Sequence, residues 1–325
     1  MTARGRAAPR WEDWPRERLL DVRIRDLGLT LEGTWVEGCV EDLYRELEKR
    51  EIALRPHCWL SDEWFSPRNV PGIAIPFYLA HPRLIRLERS MVLEAEGSSR
   101  VECMRILRHE AGHAIQHGYR LHRRPAYQRL FGKSSTRYPT SYRPNPASRQ
   151  FVQHLRAYYA QAHPDEDFAE TFAVWMQPRA RWRKRYHGWG ALKKLEYVDA
   201  LMEELRGERP PVRTRVRVAP ISQLSATLRS YYDEKRAFYA VDFPSTYDRE
   251  LCRVFSTSAH RALVARWTGE SEFTIDQLLH DMIGRSRLLK LRVPGPDERV
   301  LLDFAGMLAV RSVHFLYRRR ESIPL

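Results

Sequence analysis

His109-Glu110-Ala111-Gly112-His113 places two imidazoles and a carboxylate within five residues. On a helix the histidines fall at i and i+4, one turn apart on one face, where both rings can reach a single metal ion. Glu110, beside the first histidine, is then placed to take a proton from a water on that metal. The chemistry this pattern suggests is metal-assisted hydrolysis. A solvated helix face carrying two ordinary histidines is the competing reading, so the surrounding residues decide.

Those residues favour a helix. Val101, Met104, Leu107, Ala111, Ala114 and Ile115 recur at the spacing of a helix buried on one side, over the stretch Val101 to Gly118. Ser99-Arg100-Val101-Glu102 is a capping box placed to start it. Gly112, between the histidines, weakens a helix by up to about 1 kcal/mol and lets another backbone approach closely.

A hydrolytic zinc site needs a third protein ligand and leaves the fourth position for water. His117 continues the i+4 series, but on the same straight helix it sits a turn too far along to close a tetrahedron. Gln116 and Tyr119 stand where a metzincin pattern needs Gly and His. The remaining source is Ala162-His163-Pro164-Asp165-Glu166-Asp167-Phe168-Ala169-Glu170-Thr171-Phe172-Ala173-Val174-Trp175. Pro164 suits the first helical position, acids follow in the first turn, and Phe168, Phe172, Trp175 and Met176 form an apolar stripe. Glu166 and Glu170 lie at i and i+4 on that helix, and two buried acids so placed call for a cation. Glu166 is the expected metal ligand, and Glu170 the expected acceptor for the other ring N–H of a ligating histidine. Two imidazoles and one carboxylate suit Zn2+.

H-E-x-x-H followed some fifty residues later by Glu166-Asp167-Phe168-Ala169-Glu170 resembles the gluzincin metallopeptidases. Ala162-His163-Pro164-Asp165-Glu166-Asp167-Phe168-Ala169-Glu170-Thr171 is similar to the second motif of a bacterial family of zinc-binding metallopeptidases, close to A-H-P-x-E-D-x-A-E-T. The protease domain of anthrax lethal factor is similar more distantly. The resemblance covers about residues 40–205. It implies His109, His113 and Glu166 as metal ligands and Glu110 as general base, in a zinc-dependent peptidase. It also implies Glu170 as support for a ligand histidine. Tyr159, seven residues before Glu166, is implied as hydrogen-bond donor to the developing oxyanion, with Tyr158 as the alternative.

The elements that would position these residues give an α+β class, mostly helical. A zincin-like catalytic domain with a small sheet and an active-site helix is expected, followed by a helical C-terminal module. Residues 40–49 read as a helix, and 51–60, 72–79 and 84–87 as short strands, with 84–87 as the substrate-binding edge. A helix over 191–205 closes the unit. Residues 207–220, with Pro210, Pro211 and Pro220 among alternating Arg and Val, read as a linker or extended arm. Helical stretches follow at about 223–240, 245–267, 274–290 and 297–318, the third started by a capping box at Thr274-Ile275-Asp276-Gln277. The expected division is an N-terminal extension over 1–39, a catalytic domain over 40–206, a linker over 207–220 and a helical domain over 221–325.

The formal net charge is +14, unevenly spread. No Asp or Glu occurs from Ala111 to Pro164, the stretch that joins the two ligand helices. A basic, tyrosine-bearing wall beside the cleft favours an acidic peptide or protein substrate. The same segment, 117–160, also allows a nucleic-acid-docked protein, and a catalytically silent regulatory zinc fold is the third class. Residues 1–18 contain no apolar core of a signal peptide, and no apolar run approaches the roughly 20 residues of a membrane span. Cys39, Cys58, Cys103 and Cys252 are scattered, as in reduced thiols of a cytoplasmic protein.

Overall fold

The computed structural model describes residues 11–92, 94–238, 262, 264–266, 271–277 and 323–324. Its helices are α1 (Arg16–Leu20), α2 (Trp35–Lys49), α3 (Pro82–Val92), α4 (Arg100–Gly118), α5 (Pro125–Phe131), α6 (Pro164–Met176), α7 (Trp182–Arg185), α8 (Ala191–Glu204) and α9 (Leu228–Phe238). Strands β1 (His57–Ser61) and β2 (Gly72–Pro76) form a parallel pair, with His57 opposite Gly72 and Ser61 opposite Pro76. The two-residue strands β3 (Ser141–Tyr142) and β4 (Ile323–Pro324) pair antiparallel. The class is α+β and mostly helical, as expected.

Helix α4 is the central element. It packs on α2 and β2 on one side and on α6 on the other, and α6 packs in turn on α8. Leu43 and Leu47 of α2, Leu107 and Ala111 of α4, Phe168 and Phe172 of α6, and Leu195 and Val198 of α8 share one buried core. Fully burying each such Leu, Val or Phe side chain contributes roughly 1.5–3 kcal/mol, so these helix faces dominate the packing energy. At the edge, Arg108 grips Glu46 through two hydrogen bonds of 2.7 Å and ties α4 to α2. Between α6 and α8, buried Asp167 meets Lys194 at 2.6 Å, and Lys194 also donates to the Gln150 carbonyl.

The ends of α4 follow the sequence: Ser99 Oγ accepts from Glu102 N at 3.2 Å, closing the expected cap. Met104, Leu107, Ala111, Ala114 and Ile115 are buried, but Val101 is 76% exposed and lies off the stripe, in the solvated first turn. Helix α2 begins at Trp35 rather than 40, because Thr34 caps it and Glu37 reaches back to Gly33 N at 2.7 Å.

The expected strand at 84–87 is a correction. These residues lie inside α3, with Pro82 in its first turn and Leu84, Leu87, Glu88, Met91 and Val92 buried at helical spacing. Ile85 and Leu87 fit an alternation, while Leu84 and Leu87 fit a three-residue helical step, so this short run reads both ways. Residues 84–87 therefore offer no edge for a substrate strand.

Residues 207–220 run as an extended arm over the face of β1. His57 bonds the Val216 carbonyl, Trp59 Nε1 donates to Val218 O and Ser61 Oγ to Ala219 O, at 2.7–2.9 Å. Beyond the arm, Leu224, Ala226 and Leu228 exchange backbone hydrogen bonds with residues 22–25. Leu19, Ile24, Val36, Leu228 and Tyr232 belong to the same buried core as α4 and α6, so residues on both sides of the expected boundaries at 39/40 and 220/221 share that core. The expected helices at 245–267, 274–290 and 297–318 fall largely outside the described residues. Within them, residues 272–277 are helical and Ser271, not Thr274, is the cap, accepting from Thr274 N at 3.1 Å.

Candidate active site

Helices α4 and α6 cross at Gly112. A Cβ there would stand 2.8 Å from Ala169 Cα, a separation that packed atoms do not adopt. The missing side chain lets the two backbones touch, which brings Glu166 and Glu170 opposite His109 and His113.

The three expected ligand atoms converge. His109 Nε2 lies 3.0 Å from Glu166 Oε2, His113 Nε2 lies 3.2 Å from the same oxygen, and the two Nε2 atoms are 3.1 Å apart. Tetrahedral bonds of about 2.0–2.1 Å to nitrogen and oxygen give edges of about 3.3–3.4 Å. The triangle is within a few tenths of an ångström of one face of that tetrahedron. All three residues are buried.

The outer atoms of the triangle are also fixed. His109 Nδ1 donates to Glu170 Oε1 at 2.9 Å, which leaves its Nε2 lone pair facing inward. Glu170 Oε2 accepts from Leu155 N at 2.8 Å, so both oxygens of this fully buried acid are engaged. Burial drives the His109 and His113 imidazoles toward the neutral form, but Glu166, and for His109 also Glu170, outweigh it and raise both above the ordinary range. Burial likewise works against the Glu166 carboxylate, yet His113 and His109 hold this acid down to about 2. The cluster therefore demands positive charge between its rings and its carboxylate, and a bound cation answers that demand as protons would.

Glu110 lines the same cleft, which encloses about 980 Å3. Its Oε2 is buried without a hydrogen-bond partner. Burial raises its carboxyl above the usual range, against the lowering influence of His109 and His113. An orphaned acid oxygen beside converged ligand atoms is the arrangement a proton acceptor needs.

Residues 102–186 match the family model of the putative zinc-binding metallo-peptidases. The match to this metallopeptidase family runs from the first turn of α4 to just past α7, so it contains His109, Glu110, His113, Tyr159, Glu166 and Glu170. No curated protein and no solved structure matches the chain.

Tyr159 stands on the cleft wall with its ring 5.7 Å from that of His109. Burial, and then Glu110, push its hydroxyl well above the ordinary phenol range, so it stays a donor. Tyr158 does not reach the cleft. Ala157 and Tyr158 both hold left-handed backbone, at φ of 58° and 54°, and the Tyr158 ring packs edge-on against Phe273, with its hydroxyl 3.4 Å from Thr274 Oγ1. His117 lines the cleft one turn beyond His113, but the converged triangle does not include it.

Four contacts at the site had no signal in the sequence. Ser66 Oγ donates to the backbone carbonyl of Glu110 at 3.0 Å. Leu155 N serves Glu170. Tyr138 donates its hydroxyl to Glu166 Oε1. His154 donates from Nε2 to Arg105 O at 3.0 Å and fastens the segment before Tyr159 to α4.

Burial, the largest influence, holds the His154 imidazole down to about 4 from an ordinary 6.5. The unfolded chain then binds the extra proton as pH falls between those values, so this stability is present above about pH 6.5 and lost by about pH 4. At roughly 1.4 kcal/mol per pKa unit the loss is about 3 kcal/mol. Urea unfolding of wild type beside His154→Gln should show the difference between the two proteins changing by that amount from pH 7 to pH 4. A pH-independent difference would refute the assignment of a buried neutral ring.

Proposed function

We propose that the protein is a zinc-dependent peptidase of the gluzincin arrangement, with His109, His113 and Glu166 holding the metal. The observation that carries the reading is the triangle of Nε2, Nε2 and Oε2 atoms with the unpartnered Glu110 carboxylate oxygen beside it. Zinc in such a site acts as a Lewis acid that makes a water nucleophilic near neutral pH and polarises the scissile carbonyl.

The side chains divide the remaining work. Glu110 accepts the proton of the attacking water and delivers it to the leaving amine. Its buried setting raises its basicity and suits it to both halves of that transfer. Glu170 fixes the tautomer and orientation of His109. Tyr159 donates a hydrogen bond where negative charge develops on the carbonyl oxygen. Arg68 and Arg137, exposed on the cleft wall, favour a peptide with acidic side chains near the scissile bond.

Cleavage of a mixed peptide pool, followed by mass spectrometry, tests the reading. Activity should vanish on chelation and return with one equivalent of zinc. Cleavage that survives complete metal removal would overturn it.

A further inference from the structure

The segment between α5 and β3 is fastened to the start of α6 at successive points. Gly132, at φ +104°, turns the chain out of α5 in a backbone conformation suited to glycine. Ser134 Oγ then donates to Asp165 Oδ1, which also accepts from Gln116 Nε2 at 2.6 Å. His163, the cap of α6, accepts from Asp165 N at Nδ1 (3.1 Å) and so carries its proton on Nε2, which donates to Thr136 O at 2.9 Å. The Tyr138 ring lies flat on the His163 ring, with centroids 3.9 Å apart and planes 16° from parallel. From that stack its hydroxyl reaches Glu166 Oε1.

This last contact divides the two oxygens of Glu166. Oε1 belongs to Tyr138, and Oε2 faces both histidine Nε2 atoms. A carboxylate beside a cation can bind through one oxygen or through both, and a donor on one oxygen decides in favour of one.

We propose that Tyr138 is a positioning residue for the metal, its hydroxyl holding Glu166 as a one-oxygen ligand and its ring, stacked on His163, holding the hydroxyl. The proposal rests on the metal reading above. It gives the 133–138 segment a purpose that its exposure alone does not suggest, since Tyr138 is 45% exposed yet touches a buried acid. Without the hydroxyl, the carboxylate is free to turn or to chelate with both oxygens, and coordination expands from four toward five.

The test compares wild type, Tyr138→Phe and Tyr138→Ala, each stripped of metal and titrated with zinc against a chromophoric chelator. Each is also loaded with cobalt, whose visible bands are strong in four-coordinate sites and weak at higher coordination. Tyr138→Phe keeps the ring on His163 and removes only the donor. It should bind zinc about 10–100-fold more weakly, with weakened cobalt bands and an unchanged metal-free melting temperature. Wild-type zinc affinity together with a wild-type cobalt spectrum in Tyr138→Phe would overturn the proposal. So would a defect in Tyr138→Ala that is absent from Tyr138→Phe, because the ring alone would then be at work. Failure of the wild type to bind zinc would remove the metal reading and this proposal together, whereas the first two results would leave the metal reading standing.

Discussion

Glu110→Gln is expected to keep its metal and lose turnover by roughly 10²–10⁴-fold, the range that general acid–base catalysis contributes. The amide matches the carboxylate in size, so the buried wall of the cleft is undisturbed. It is not one of the three converged ligand atoms, so metal content should not change. What is lost is an acceptor of suitable basicity: burial raises the Glu110 carboxyl, and no hydrogen bond occupies its Oε2. The variant should show unchanged zinc content and a reduced kcat on the best peptide found for wild type. Turnover within a few-fold of wild type would remove Glu110 from the mechanism.

Gly112→Val should damage both the fold and the metal site. The first carbon of the new side chain would meet Ala169 Cα at 2.8 Å and Ala169 O at 3.1 Å. Both are backbone atoms in the middle of α6, so no rotamer change relieves the contact, and the helices must separate. Overpacking of this kind costs about 1–3 kcal/mol, which exceeds the few tenths of a kcal/mol that Val gains over Gly in helix propensity. Ala169 stands between Glu166 and Glu170, so the same separation withdraws both acids from the histidines. Thermal melting of the metal-free protein should fall, and zinc affinity should drop tenfold or more, about 1.4 kcal/mol. A variant with wild-type melting and wild-type zinc affinity would show that the crossing at Gly112 does not set the distance between the acids and the rings.

The parts of the site that were legible in the sequence are those written in helical periods. His109 and His113 sit at i and i+4 on α4, and Glu166 and Glu170 at i and i+4 on α6. Each helix announced its own start, with Ser99 as the cap of one and Pro164 at the first helical position of the other. Once both are helices, their apolar stripes force them together, and the four polar residues meet. Tyr138 was not legible, because an exposed loop tyrosine follows no period and its partner lies 28 residues away. The same holds for Ser66 on Glu110 and for Lys194 on Asp167, which are long-range meetings of single side chains. Residues 84–87 show the opposite failure: a short apolar run fits two periods, and only the continuation to Met91 and Val92 separates helix from strand. At 207–220 the sequence showed the extended chain but not its seat. The donors on His57, Trp59 and Ser61 bond to its backbone carbonyls, for which the arm's own side chains give no sign.

Metal stoichiometry of the purified protein, wild type beside Glu166→Ala, tests the central claim most directly. One zinc per chain is expected in the wild type, with marked loss in the variant, since two imidazoles alone leave the ion without its third protein ligand. Full retention of zinc by Glu166→Ala would mean that α6 does not supply that ligand, and would contradict the joining of α4 and α6 around one cation.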